Sequence, residues 1–482
     1  MAIVNGGNLN STPSVNKVTL SSNYIDFTSA TTKGWAQQYL PDLMEEEAEV
    51  FGNRSISGFL EMVGAEEAMT ADQVIWSEQG RLHLSYQGDQ STNTDKIILT
   101  DDIDGNSIDA SGEAGHGVRV GDTVVVTSST HTVKCYVSAV TNTPGTETSI
   151  TVKPYTHATL TAALGNSNAV PLNVFVFGSE FKKGTQGRTD ANQPGFKSLT
   201  NSPIIMKDLY EISGSDASQI GWVEVSGEEG QNGYLWYLKA AGDTRARFTD
   251  YCEMTLVEAE KAAPSSGAIG EGMKGTEGLF AAIEDRGNIS YGGLSLTEFD
   301  SILKEFDKQG AIEEYMLFLN RNEALAVDDM LAGLPGSNTG AGSGYGVFDN
   351  DRDMALNLGF TGFRRGSYDF YKSDWKYLND KSTRGGILDV TAANGGADGP
   401  ISGVMVPAGT SSVYDQSLGR NLRRPFLHVR YRASQMDDRR FKTWTTGSVG
   451  ASTSDLDAME MHFLTERCLV VQGANNFMLL QK

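Results

Sequence analysis

Apolar and polar positions along the chain change rhythm several times, and each change marks a predicted element. Residues 73–88, QVIWSEQGRLHLSYQG, alternate on both sides of a polar turn. Val74 and Trp76 share one side of the first arm, Leu82 and Leu84 share one side of the second, and Gln79-Gly80 suits a hairpin connection. A lone hairpin is marginal in water, so this one is expected to lie on something else. From about 92 to 173 the alternation passes to short β-branched runs, GVRVGDTVVVTSS, TVKCYVSAV and TSITVKPYT, which predict a small inserted β-barrel or sandwich. LNVFVFGSEFKKG then resumes a strand and leads into the polar loop GTQGRTDANQPGF.

Elsewhere the spacing is helical. Residues 1–31 are polar and rich in Asn, Ser and Thr, which predicts an extended arm. After it, Trp35, Tyr39, Leu43 and Val50 fall on one side of a helix that Pro41 starts or kinks and Gly52-Asn53 stops, and SISGFLEMVG reads as a second short helix or turn. Residues 234–263 predict the longest helix, about 45 Å, with a narrow stripe of Leu238, Ala241, Phe248, Cys252, Leu256 and Ala259: a spine rather than a core packer. In SLTEFDSILKEFDKQG, Ser295 and Glu298 form a capping box ahead of Phe299, Ile302, Leu303 and Phe306, with Gly310 as terminator. A strand and helix in EYMLFLNRNEALAVDDMLAGL, then strands in YDFYKSDWKYL, ISGVMVPAG and the closing residues, complete an α+β pattern without internal repeats.

Composition narrows the function classes. The 482 residues carry 61 Asp and Glu against 39 Lys and Arg, a net charge of −22, which argues against a dedicated nucleic-acid binder. Such a surface would suit a protein that surrounds DNA without gripping it. Cys135, Cys252 and Cys468 are too few and too scattered for a disulfide framework or zinc site, so a reducing compartment is the default. The first residues lack the pattern of a signal peptide and no run approaches ~18 apolar residues, so a cytosolic chain with no membrane partner is expected.

Candidate chemistry adds little. Gly270, Gly272 and Gly275 satisfy GxGxxG but follow a helix instead of a strand, no Gly-Lys dipeptide exists, and the six histidines stand in no catalytic setting. No enzyme activity and no cofactor are expected. Asp102, Asp104, Asn106 and Glu113 match positions 1, 3, 5 and 12 of a calcium loop, yet Ser107 occupies the position that needs glycine, so a polar turn is the better reading. The acidic run Glu45, Glu46, Glu47 and Glu49 and the basic segment with Arg423, Arg424, Arg430 and Arg432 have opposite sign, and would orient neighbouring copies if they met.

The block RSISGFLEMVGAEEAMTADQVIWSEQGRLHLSY, the long helix, the α+β region and the close ERCLVVQGANNFMLL together resemble the major capsid proteins of tailed bacteriophages. The opening block is most similar to those of crAss-like podoviruses. The resemblance implies the Hong Kong 97 capsid fold: N-terminal arm and helix (1–53), E-loop region (54–91, returning at 174–205) and an inserted β domain (92–173). It further implies a peripheral domain (206–285) with the spine helix, an axial domain (286–420) and C-terminal strands (421–482). It also implies a virion subunit, assembled in the host cytoplasm as hexamers and pentamers around double-stranded DNA, with portal, scaffold and auxiliary or head-fibre proteins as further partners. On that basis Trp76, Leu82, Leu84, Glu45, Glu46, Glu47, Arg423 and Arg424 are the interface candidates. Trp76 and the two leucines would then bury against another copy. The alternative class is a tail tube or sheath, or a surface-layer protein, against which the long helix and the missing signal peptide respectively weigh.

Overall fold

The structure is a computed structural model that describes residues 58–60, 65–91, 95–165, 171–188, 191–192, 196–217, 224–226, 232–309, 312–332, 362–389, 401–408, 410–415, 420–449 and 452–481. The expected arm and first helix, with Glu45, Glu46 and Glu47, lie outside the described residues. All described residues belong to one unit, Ile56–Lys482.

The first strands are β1 (Ala65–Met69) and β2 (Val74–Gln79). A closed barrel follows, built from β3 (Ser85–Gln90), β4 (Lys96–Asp102), β5 (Asp122–Thr127), β6 (Thr132–Thr143), β7 (Glu147–Pro154) and β8 (Pro171–Ser179) in the order β3-β4-β7-β6-β5-β8. Its strands turn every second residue inward, so Ile97, Leu99, Val124, Val126, Cys135, Val137, Ile150, Val152 and Val174 are fully buried. A short helix, Leu160–Leu164, capped by Thr159 accepting from the Ala162 amide at 3.2 Å, adds Leu160 and Leu164 to that core. The barrel thus runs from Ser85 to Ser179, where the sequence pattern places a β unit at 92–173.

Strand pairing around the barrel differs from the expected local hairpin. β2 pairs antiparallel with β9 (Phe196–Asn201), from Val74 opposite Asn201 to Gln79 opposite Phe196. The reason is closure: both edges of β3 are taken, by β4 and β8, so nothing is left for β2 to pair with.

After β10 (Ile204–Ser213) and the short pair β11 (Glu224–Ser226) and β12 (Asn232–Tyr234) comes the long helix α1 (Leu235–Glu258). It stops five residues before the expected end at 263. Residues beyond it leave the helix to pair with a loop: Ala262 N–H donates to the Lys274 carbonyl and Gly278 N–H to the Ala259 carbonyl. The glycines of the GxGxxG match belong here, and Gly275, at φ +66°, has the Glu260 carbonyl oxygen 2.2 Å from where a Cβ would stand. Close backbone approach explains Gly275, whereas a Cβ at Gly270 or Gly272 would meet nothing within 4 Å.

The remaining elements are α2 (Leu279–Arg286), β13 (Asn288–Tyr291), α3 (Leu296–Gln309), β14 (Glu314–Leu319), α4 (Arg321–Ala332), β15 (Gly362–Arg365), β16 (Tyr368–Asp374) and β17 (Ile401–Pro407). Then follow β18 (Thr410–Asp415), β19 (Arg420–Pro425), β20 (Leu427–Arg432), β21 (Lys442–Gly447), β22 (Ala458–Val471) and β23 (Met478–Gln481). A mixed sheet of order β13-β23-β17-β14-β16-β15 receives α3, whose Phe306 stacks on Tyr315 at 4.4 Å and whose Phe299 meets Phe370 edge-on at 4.9 Å. A second sheet, β1-β20-β22-β10 with β21 also on β22, is covered on one face by α1 through Phe248 and Cys252 against Phe463. Between them a large core gathers Leu256, Leu279, Ile283, Val404, Leu427, Leu469 and Phe477. Phe59 enters it, stacked on Trp375 at 4.5 Å, while the Glu253 carboxylate of α1 accepts from the Gly58, Phe59 and Leu60 amides. Among the described residues β18 and β19 pair only with each other.

Candidate assembly surfaces

The foot of the β2–β9 ribbon is held by buried polar groups. Asn201, fully buried, donates to the Glu277 and Leu469 carbonyls at 3.0 and 2.6 Å and accepts from the Glu277 amide and the Thr276 hydroxyl at 2.9 and 3.1 Å. Every polar atom of that amide is used, which is how a buried Asn becomes a fixed point instead of a cost. Beside it, Glu78 accepts from the Gly473 amide at 3.0 Å and from the Trp76 indole at 3.2 Å, and Arg286 binds Glu277 at 2.7 Å with its guanidinium 5.8 Å from the Trp76 ring.

This corrects the expected place of Trp76. It is 8% exposed and covered within its own chain, because the middle of the ribbon lies against the body, with Arg286 and Glu78 beside the ring. Leu84 packs against the barrel core, whereas Leu82 (82% exposed) and Ile75 (64%) face solvent. Arg423 and Arg424 lie on β19, opposite Ser412 and Ser411.

The polar turn after β4 is closed on itself. Asp102 accepts from the Asp104 and Asn106 amides, both at 2.9 Å, and Asp104 is engaged bidentately by Arg81, which also donates to the Lys308 carbonyl at the end of α3. Among the described residues no group of three or more His, Cys, Asp or Glu is placed to hold a metal ion. Burial pushes the Cys135 and Cys468 thiols up to about 12 and Cys252 to about 11, which keeps them protonated and inert near neutral pH.

Sequence reasoning missed a charge network along β1, β20 and β22. Glu66 pairs with Arg440 and Arg467, Glu67 with Arg430, Asp72 with Arg432, and Glu466 with Arg432 and Arg439. Arg430 and Arg432 therefore meet acids of their own chain. The consecutive pair Glu66-Glu67 beside an apolar run was the available signal, but partners more than 350 residues away left no local pattern. On the face of this sheet away from α1, exposed Leu209 and Trp444, the latter stacked on His462 at 5.0 Å, line a shallow hollow of about 460 Å³, and Trp444 also lines a second of about 350 Å³. No described helix is long and apolar enough to cross a membrane.

No family model and no curated protein matches the sequence. Among solved structures, the chain is similar to the capsid of a native GTA particle at 10% identity and a TM-score of 0.40, over 95% of this chain and 99% of that one. It is similar to a structure of Gordonia phage Cozz at 10% identity and a TM-score of 0.40, over 97% and 99%.

Proposed function

We propose that this chain is the major capsid protein of a tailed bacteriophage, with a Hong Kong 97-type fold, and that copies of it close as hexamers and pentamers into an icosahedral shell around double-stranded DNA. In this reading β2 and β9 are the two arms of the E-loop and the barrel is an insertion carried by them. α1 is the spine helix of the peripheral domain, and the six-stranded sheet with α3 and α4 is the axial domain. Residues 1–53 form the arm.

The observation that carries the reading is the ribbon itself. β2 and β9 pair with each other and, among the described strands, with no third, are tied to the body by Asn201 at one end and by Glu78 next to the other, and leave Ile75 on β2 and Leu82 in the following turn bare. Two strands alone are marginal in water, and a neighbouring copy would supply the missing cover. Modest contacts at several edges become strong when they must all release together. The net charge of −22 suits a lining that does not grip the packaged polymer. Portal, scaffold and auxiliary proteins are the partners this role calls for, and the mature place of the chain is the virion, after assembly in the host cytoplasm.

Electron microscopy and sedimentation of the purified chain, alone and co-expressed with its neighbouring structural genes, test the reading. Closed shells are expected, and Leu82→Asp combined with Ile75→Asp should yield folded subunits that do not close. A chain that stays monomeric in both settings overturns the proposal.

A further inference from the structure

The barrel interior is complete: the inward residues of β4 to β8 and the short helix fill it with fully buried aliphatic side chains. The aromatic residues on its outside therefore have no task in folding. Phe175 (42% exposed), Phe177 (49%), Phe181 (47%) and Tyr155 (51%) all face solvent. The strand register gathers them. Phe175 on β8 stands opposite Val125 on β5, which stands opposite Lys134 on β6. Tyr155, just past β7, donates its backbone N–H to the Lys134 carbonyl and its hydroxyl to Glu180, just past β8. Phe181 lies against Gly121 at the start of β5, and its ring is held by the Arg188 guanidinium, which in turn is bonded to buried Asp122 at 2.6 Å.

The rim of this patch is basic. Lys134, Lys182 and Lys183 are exposed and have no ion pair with a described carboxylate, on a chain whose net charge is −22. Aromatic side chains bring 150–250 Å² each to an interface, so four half-exposed rings leave on the order of 400 Å² of apolar surface open. That is the size at which an exposed patch marks an interaction site.

We infer that this outer face of the barrel, Phe175, Phe177, Phe181 and Tyr155 with its lysine rim, docks on an acidic surface of a second copy of this chain. Two arguments select that occupant. The rim is complementary in sign to the chain as a whole. The patch is about half of the ~800 Å² per partner that a free-standing complex needs, so it serves a neighbour already held by other contacts. Aromatic rings with lysines can also stack nucleic acid, and a crosslink from residue 177 to nucleic acid is the outcome that decides against the second copy. The inference rests on the shell-forming reading and adds to it a contact made by the barrel.

The test is photo-crosslinking in assembled particles. Phe177 is replaced by p-benzoylphenylalanine in the full chain, mixed with isotopically heavy copies before assembly, and illuminated. Crosslinks joining light and heavy peptides, with the partner peptide rich in Asp and Glu, are the expected result. In parallel, F175S/F177S and K182E/K183E, checked for native circular dichroism, should raise the concentration needed for assembly at least tenfold. Shells that form normally with either folded variant, or a residue 177 that crosslinks only to nucleic acid, to another protein or to its own copy, overturn this inference and leave the shell reading standing. A chain that forms no particles at all overturns both.

Discussion

Removing the Asn201 side chain is the sharpest test of how the ribbon is held. In Asn201→Ala five hydrogen bonds to other residues vanish at once, those with the Glu277 amide and carbonyl, the Leu469 carbonyl, the Thr276 hydroxyl and the Ser202 amide. Thr276 is itself fully buried, so its hydroxyl cannot turn to solvent. A net hydrogen bond contributes about 1 kcal/mol and an orphaned buried group costs about 1–3 kcal/mol, so a loss of about 4 kcal/mol is expected, a large share of the 5–15 kcal/mol typical of a folded domain. The chain has a barrel with its own core, and the loss should fall on the body alone. Trp76, buried where the ribbon lies against the body, reports the body in urea titrations followed by tryptophan fluorescence. Hydrogen exchange should show β2 and β9 amides losing protection first. A fluorescence midpoint displaced by less than about 1 kcal/mol would mean that the ribbon foot is held by packing, and the reasoning would fail.

The barrel supports three further predictions. Burial depresses the pKa of His116 below its ordinary 6.5, so the unfolded chain takes up a proton that the folded one refuses. Stability is then fully present above about pH 6.5 and is lost as the pH falls through the folded value; barrel unfolding at pH 7.5 and 5.5 should show this, with His116→Gln flattening the difference. In Gly88→Ala the new Cβ would stand 2.0 Å from the Ile98 carbonyl oxygen, at a bulge in β3, and a loss of at least about 3 kcal/mol by chemical denaturation is expected; a near-neutral result refutes the register. Millimolar calcium should leave the melting temperature unchanged, because Asp102 is bonded to its own turn and Asp104 to Arg81; a rise abolished by Asp104→Ala would refute that.

What could be read in advance follows the range of the interactions. α3 was legible because its signals are local: Phe299, Ile302 and Phe306 at helical spacing, and Ser295 accepting from the Glu298 amide at 3.2 Å. Even there only half of the capping box forms, since the Glu298 carboxylate accepts from Ser290 at 2.7 Å instead. The β-branched runs of the barrel announced their strands, because burial on one side imposes a period of two. Their order, and the partner of β2 more than a hundred residues away, carried no local signature. Neither did the place of Trp76, whose cover comes from Arg286 and Glu78, nor the end of α1, which is set by a loop fifteen residues further on.

Gln79 and Phe196 face each other across the ribbon, and the chain between them enters and leaves through that one pair, with Arg81 adding a contact to the Lys308 carbonyl. Cross-strand partners stand about 5 Å apart, a gap that a two-residue turn can close. The body below the ribbon therefore sees the same two chain ends whether it carries a barrel, a bare turn or a different module. Variation in what the particle shows to its surroundings can accumulate above this joint, decoupled from the residues that keep the body folded. The same joint offers a grafting site: a guest whose own termini lie that close could be carried in many copies without touching the sheets below.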